Sequence, residues 1–246
     1  GTVGYMAPEQ VKGQTATALA PMATLTAAAL LTSALSAVVG MGGGIALLAV
    51  MASVLPAPIV VPVHGVVQLF SNGTRALVMF RHVNRTVFAL YMIPSIAGVL
   101  VGARLYVGSE LPWFRPAVGV FILGYLVTLR FQPHAGRFRL GWFAPLGFVV
   151  GACAALIGAT GPLIAPFFLR DDLGPREIVA TKAAIQITTH AAKIPAFLFA
   201  GFAYREHVGL LGPLVLAAVV GTIVGGRVLE RLSPVVRPQA RYRRSL

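Results

Sequence analysis

Long apolar runs alternate with short basic joints along the chain. No Asp, Glu, Lys or Arg occurs between Lys12 and Arg75, an interval of 62 residues. At ~1.5 Å per helical residue this is ~93 Å of uncharged helix, about three times a ~30 Å hydrocarbon core. Further charge-free runs lie between Arg85 and Arg104, Arg115 and Arg130, Arg139 and Arg170, and Glu206 and Arg227. Each is about one membrane span or somewhat more. The pattern predicts helices at 22–40, 43–55, 59–80, 86–106, 113–130, 141–158, 161–169, 178–202 and 207–229. The second and seventh are short and follow glycines, so they read as halves of broken helices. The expected fold class is an all-α polytopic membrane protein.

The breaks recur at a fixed interval. Sliding the sequence on itself by 118 residues places Gly40-Met-Gly-Gly-Gly44 on Gly158-Ala-Thr-Gly-Pro162, Gln68 on Gln186 and Arg75 on Lys193. After a five-residue insertion the offset becomes 123, and Gly98, Gly102 and Arg104 fall on Gly221, Gly225 and Arg227. Two copies of one unit are therefore expected. They are repeat one at 22–130, a basic loop at 131–140 and an incomplete repeat two at 141–232, flanked by segments 1–21 and 233–246. The last helix of repeat one has no apolar counterpart after Pro234, so the final helix of repeat two reads as missing or replaced. If each broken segment crosses twice, 81–85, 130–139, 170–176 and everything after 227 share one basic side, as the positive-inside rule requires. The repeats are then inverted; single crossings make them parallel.

Composition agrees with this layout. The chain is 57% hydrophobic and 11% charged, where a soluble domain carries about 25% charged residues. Its formal net charge of +13 would suit nucleic acid, but the arginines sit at the ends of apolar runs, where juxtamembrane anchors belong. Cys153 is the one cysteine and cannot form an internal disulfide. Residues 1–10, GTVGYMAPEQ, resemble the end of a Ser/Thr kinase activation segment with its Ala-Pro-Glu signature. No other kinase motif accompanies them. The absence of H-E-x-x-H and G-x-S-x-G removes zinc-protease and serine-hydrolase readings. No enzyme, metal site or cofactor is expected.

Two constellations carry candidate chemistry. The first is the pair of breaks, Gly40, Gly42, Gly43 and Gly44 in one copy and Gly158, Thr160, Gly161 and Pro162 in the other. Irregular backbone inside a bilayer must be buried or line a cavity, and half-helix N-termini favour anions. Paired breaks in two repeats mark substrate sites in secondary transporters; close packing of small residues is the alternative. The second is a polar stripe, His64, Gln68, Ser71/Asn72 and Arg75, with mates Lys182, Gln186, Thr189/His190 and Lys193. At ~100° per residue each stripe occupies one ~80° face of its helix. Two of the three lysines lie in one predicted membrane helix, where ionisable groups face the bundle interior. Lys182, Arg75 and His64 can alternatively reach an interface as anchors; Lys193 lies deeper. No Asp or Glu falls inside a predicted span, which favours an anion over a cation. His64 and His190 are the interior groups suited to relaying a proton.

With its two glycine turns, Pro56 beyond the first, and a repeated four-helix-scale unit, the chain resembles the TauE/SafE family of membrane transporters over about residues 22–232. The resemblance implies export or uptake of small sulfur-containing anions such as sulfite or sulfonates, driven by an ion gradient, in the cytoplasmic membrane of a prokaryote. The implied partners are the anion, the bilayer, a coupling proton or sodium ion and further copies of the chain, with no nucleic acid. The site residues carried forward are Gly42, Gly43, Gly44, Gln68, Arg75, Thr160, Gly161, Gln186, His190 and Lys193. The second turn, Gly-Ala-Thr-Gly-Pro, departs from the family's glycine run. The missing last helix raises a second reading, a membrane-embedded binding or assembly subunit, or transporter fragment, that does not transport.

Overall fold

The computed structural model describes residues 19–39, 42–107, 111–131, 139–158, 161–168 and 172–236. The kinase-like residues 1–10, most of the basic loop and the tail from 237 lie outside the described residues. The rest is helical between short joints, with no strand among the described residues. The α-helices are α1 Leu19–Val39, α2 Gly43–Val54, α3 Ala57–Met79, α4 Arg85–Val107, α5 Phe114–Phe131, α6 Phe143–Leu156, α7 Gly161–Ile164, α8 Pro175–Phe199 and α9 Val208–Val236.

Local chemistry sets the boundaries. Gly42, at φ 93°, occupies a left-handed conformation that costs most residues ~1–2 kcal/mol, and it starts α2. Leu55 is extended at φ −98°, ψ 153° because the following Pro56 disfavours helical backbone before it. The predicted helix at 161–169 is instead one α-turn followed by a 3-10 turn over Ala165–Phe168, since Pro166 can supply no helical N–H. The expected end of α8 at 202 retreats to Phe199, where Gly201 at φ 102° turns the chain. α9 runs past the predicted 229 to Val236; Arg227, Glu230 and Arg231 end an apolar run, but charge does not end a helix.

Glycines fix the closest helix pairs. A Cβ on Gly98 would lie 2.0 Å from the Phe148 carbonyl oxygen, and one on Gly102 would lie 2.5 Å from that of Ala152. Gly147 and Gly151 of α6 approach the Tyr91 and Ser95 carbonyls of α4 equally closely, at 2.6 and 2.2 Å. On the other side of the molecule, Gly221 and Gly225 of α9 meet the Leu30 and Ala34 carbonyls of α1 at 2.2 and 2.3 Å. Leu30 and Ala34 are the residues that a shift of 118 places on Phe148 and Ala152. The constant differences within each set make α4 parallel to α6 and α1 parallel to α9. Backbones this close pack through small-residue faces, as in membrane helix pairs.

Between these pairs lie α3 and α8, which pack on each other. Gly65 meets Lys193, Arg75 is the charged neighbour of Lys182, and Asn84 just past α3 bonds Glu177. Numbers rising on one helix fall on the other, so α3 and α8, equivalent under the 118-residue shift, run antiparallel. Asn84 joins the two halves: its side chain donates to Glu177 Oε1 at 2.7 Å and accepts from Val87 N at 2.9 Å, while its backbone N–H donates to Thr181 Oγ1 at 2.8 Å. The outer faces are apolar, with Leu31, Leu77, Ile93, Val120, Phe199 and Leu216 all exposed. Among the described residues, three helices, Ala20–Val38, Arg85–Val107 and Tyr204–Val228, are long and apolar enough to cross a membrane. This is an all-α membrane protein in which the polar stripes of α3 and α8 are turned inward.

Candidate functional site

The two stripes face each other across the α3–α8 contact. His64, Gln68, Ser71 and Asn72 are buried on α3, and Thr189, His190 and Lys193 on α8. Arg75, Lys182 and Gln186 are half-buried. Lys193 is 0% exposed, His64 1% and His190 2%. α8 ends only six residues beyond Lys193, about 9 Å, yet the side chain folds inward. It has room because Gly65 lacks a side chain: a Cβ there would lie 3.1 Å from Lys193 Cδ.

Lys193 Nζ donates to the Gly158 carbonyl at 3.0 Å, beside the second break. Gly158, at φ 110°, is seated against Leu48 of α2, whose Cδ1 lies 2.7 Å from the position of a Cβ. His64 bonds the Gly44 carbonyl through Nε2 at 2.8 Å. A carbonyl only accepts, so that nitrogen carries the hydrogen and, in the neutral ring, Nδ1 is left as an acceptor. The His64 and His190 rings stand edge to face with centroids 6.1 Å apart. The Nδ1 atoms of both are buried without a hydrogen-bond partner. Both breaks, both histidines and Lys193 therefore converge. The described acidic residues, Asp172, Glu177, Glu206 and Glu230, belong to the joints and helix ends.

Arg75 is not brought beside Lys193. It lies ten residues along α3 from Gly65, about 15 Å, where Nη1 donates to the Ser36 carbonyl and Nη2 to Asn72 Oδ1, each at 2.9 Å. Its charged neighbour is Lys182. Antiparallel packing separates the two cations that a sequence shift superposes, and pairs each with the opposite end of the other stripe.

The amides lie between. Gln68 Oε1 is 3.2 Å from where a Cβ on Gly44 would be, and Gln186 Nε2 is 3.7 Å from the same position on Gly161. Gly43 is pressed under the Thr32 carbonyl, 2.0 Å from its would-be Cβ, so it serves close packing as well as the turn. Of the first amides of α2, those of Ile45 and Ala46 donate to the Gly42 carbonyl at 3.1 and 3.0 Å, which leaves those of Gly43 and Gly44 as the donors of the helix start, and the dipole of a 12-residue helix adds to their pull on an anion. α7 is a single turn, so the two breaks are unequal. Thr160, Ala159, Gly40 and Met41 lie outside the described residues.

Ser71 and Thr189 of the stripes belong to a hydroxyl network whose other members, Tyr91, Ser95 and Thr222, the sequence pattern does not mark. Thr189 donates to the Ile185 carbonyl and meets Ser95 Oγ at 3.0 Å and Tyr91 Oη at 3.3 Å, while Ser71 Oγ meets Thr222 Oγ1 at 3.0 Å. Single hydroxyls in apolar helices carry no periodic signal. Their one mark is position, since Ser95 and Thr222 sit beside the packing glycines Gly98 and Gly221. Such bonds hold membrane helices together at ~0.6 kcal/mol each on average.

A family model described as sulfite exporter TauE/SafE matches residues 25–240. No match was found among curated proteins or among solved structures.

Proposed function

The chain belongs to the TauE/SafE sulfite exporter family of membrane transporters, and we propose that it is a secondary transporter of a small, sulfur-containing oxyanion such as sulfite or a sulfonate, in the cytoplasmic membrane of a prokaryote. The observation that carries this reading is Lys193: a fully buried amine, with no carboxylate beside it among the described residues, at the meeting of both helix breaks. A buried cation without a counter-ion calls for a mobile anion. Gln68 and Gln186 supply amide donors, and the first amides of α2 add backbone donors. The antiparallel α3–α8 pair and the recurrence of the glycine contacts, with the glycines 123 residues apart and their carbonyl partners 118 apart, support two inverted repeats, which rock against each other to alternate access.

His64 supports a proton as the coupling ion. Its Nε2–H is committed to Gly44, so Nδ1 presents a lone pair that repels an anion until a proton is added. Anion and proton then enter together, and His190, one ring away, passes the proton on. The test is sulfite uptake by the purified full chain in proteoliposomes. Saturable uptake above empty liposomes is expected, accelerated several-fold by an acid-outside gradient and unchanged by a sodium gradient. No uptake of sulfite or sulfonates would overturn the transport reading; sodium-driven, pH-indifferent uptake would overturn the role of the histidines.

A further inference from the structure

We propose that Arg75 and Lys182 form a second oxyanion station, and that the substrate passes between it and the Lys193 cluster as the transporter changes face. The proposal rests on the anion-transport reading above. Its basis is a symmetry of contacts. His64 and Lys182 are equivalent under the 118-residue shift, as are Arg75 and Lys193. Because α3 and α8 are antiparallel, with Gly65 at Lys193 and Asn84 at Glu177, His64 lies at the Lys193 end of the pair and Lys182 at the Arg75 end, so each end carries a basic residue from both stripes. The backbone partners match too. Arg75 reaches the Ser36 carbonyl in the last turn of α1, and Lys193 reaches the Gly158 carbonyl just past the end of α6. Each cation is thus held on the carbonyl end of the first helix of its own repeat, where a helix dipole favours positive charge.

The Arg75–Lys182 end has spare capacity for a ligand. Arg75 Nε is buried without a hydrogen-bond partner. The carboxylate nearest on α8, Glu177, is occupied by the Asn84 amide at 2.7 Å and the Gly174 N–H at 3.4 Å. Two neighbouring cations repel strongly away from bulk water, and an oxyanion between them relieves that repulsion while accepting the free Nε–H. The stations lie ~15 Å apart along α3, too far for one small oxyanion to touch both. Gln68, Asn72 and Gln186 line the interval. The Lys193 station lies toward one end of the α3–α8 pair and the Arg75 station toward the other, near the joint at 80–85, so each serves the approach from its own side.

The test compares sulfite KM for transport from each face, in right-side-out and inverted vesicles, for wild type, Lys182→Gln, Lys182→Arg and Lys193→Gln. Lys182→Gln is expected to raise KM about tenfold from one face and less than twofold from the other. Lys193→Gln should show the opposite bias, and Lys182→Arg should restore wild-type values. No shift for Lys182→Gln, or equal shifts from both faces, would overturn the second station while leaving the transport reading in place. Wild-type vesicles that carry neither sulfite nor sulfonate would remove both.

Discussion

Lys193→Met is expected to cut low-substrate sulfite uptake from the Lys193 face by about 30-fold or more and leave the protein at least as resistant to thermal unfolding as the wild type. The two halves of that result have separate causes. An ionisable side chain at bilayer depth costs roughly 2.5–3.5 kcal/mol on insertion scales, and the single bond to the Gly158 carbonyl returns about 1.5–3 kcal/mol. Methionine fills the same volume against Gly65 without that cost, so stability holds or rises. Removing the charged partner of a desolvated anion, however, loses about 2–5 kcal/mol of binding. At ~1.4 kcal/mol per decade that is about 30-fold or more in affinity. A residue kept for packing alone gives the reverse pattern, lower stability with uptake retained. Thermal melts in detergent beside uptake in proteoliposomes distinguish the two.

The second large effect belongs to the glycine contacts. Gly98→Val and Gly221→Val are each expected to destabilise the protein by about 3 kcal/mol or more, at the upper end of what overpacking costs. The would-be Cβ atoms lie 2.0 and 2.2 Å from the Phe148 and Leu30 carbonyls, and backbone cannot rotate aside as a side chain can. α4 must part from α6, or α9 from α1. Gly226→Ala provides the contrast, because nothing lies within 4 Å of its Cβ position. That change removes only glycine's ~1 kcal/mol helix penalty and should leave the melt unchanged or raise it. A Gly98→Val protein that melts with the wild type would contradict the close α4–α6 contact.

Periodicity made the helices legible and the 118-residue shift made the breaks and stripes legible, since both are properties of one strand of sequence. Partners are properties of two. Gly98 and Gly102 mark a face of α4, yet nothing in their spacing says that the face meets α6 rather than α8. The shift superposes Arg75 on Lys193 and so suggests one shared site; antiparallel packing of α3 against α8 separates them by ~15 Å along the helix and sets Lys182 beside Arg75 instead. Ser95, Tyr91 and Thr222 went unnoticed because a hydroxyl in an apolar helix acquires meaning only from the group opposite. The length of α7 was misjudged because apolar composition continues through 161–169 while Pro166 prevents a regular helix. The burial of Lys193, by contrast, followed from its depth in the helix and its place on the stripe, whereas His64, buried as well, was equally compatible with an interfacial anchor on sequence alone.

Equilibrium binding of radiolabelled sulfite to the detergent-solubilised full chain tests whether a small oxyanion binds at Lys193, without requiring transport. Saturable binding to the wild type that weakens by about 30-fold or more in Lys193→Met, with both proteins folded, is the predicted result. Equal affinity in the two proteins would show that the anion does not bind at Lys193.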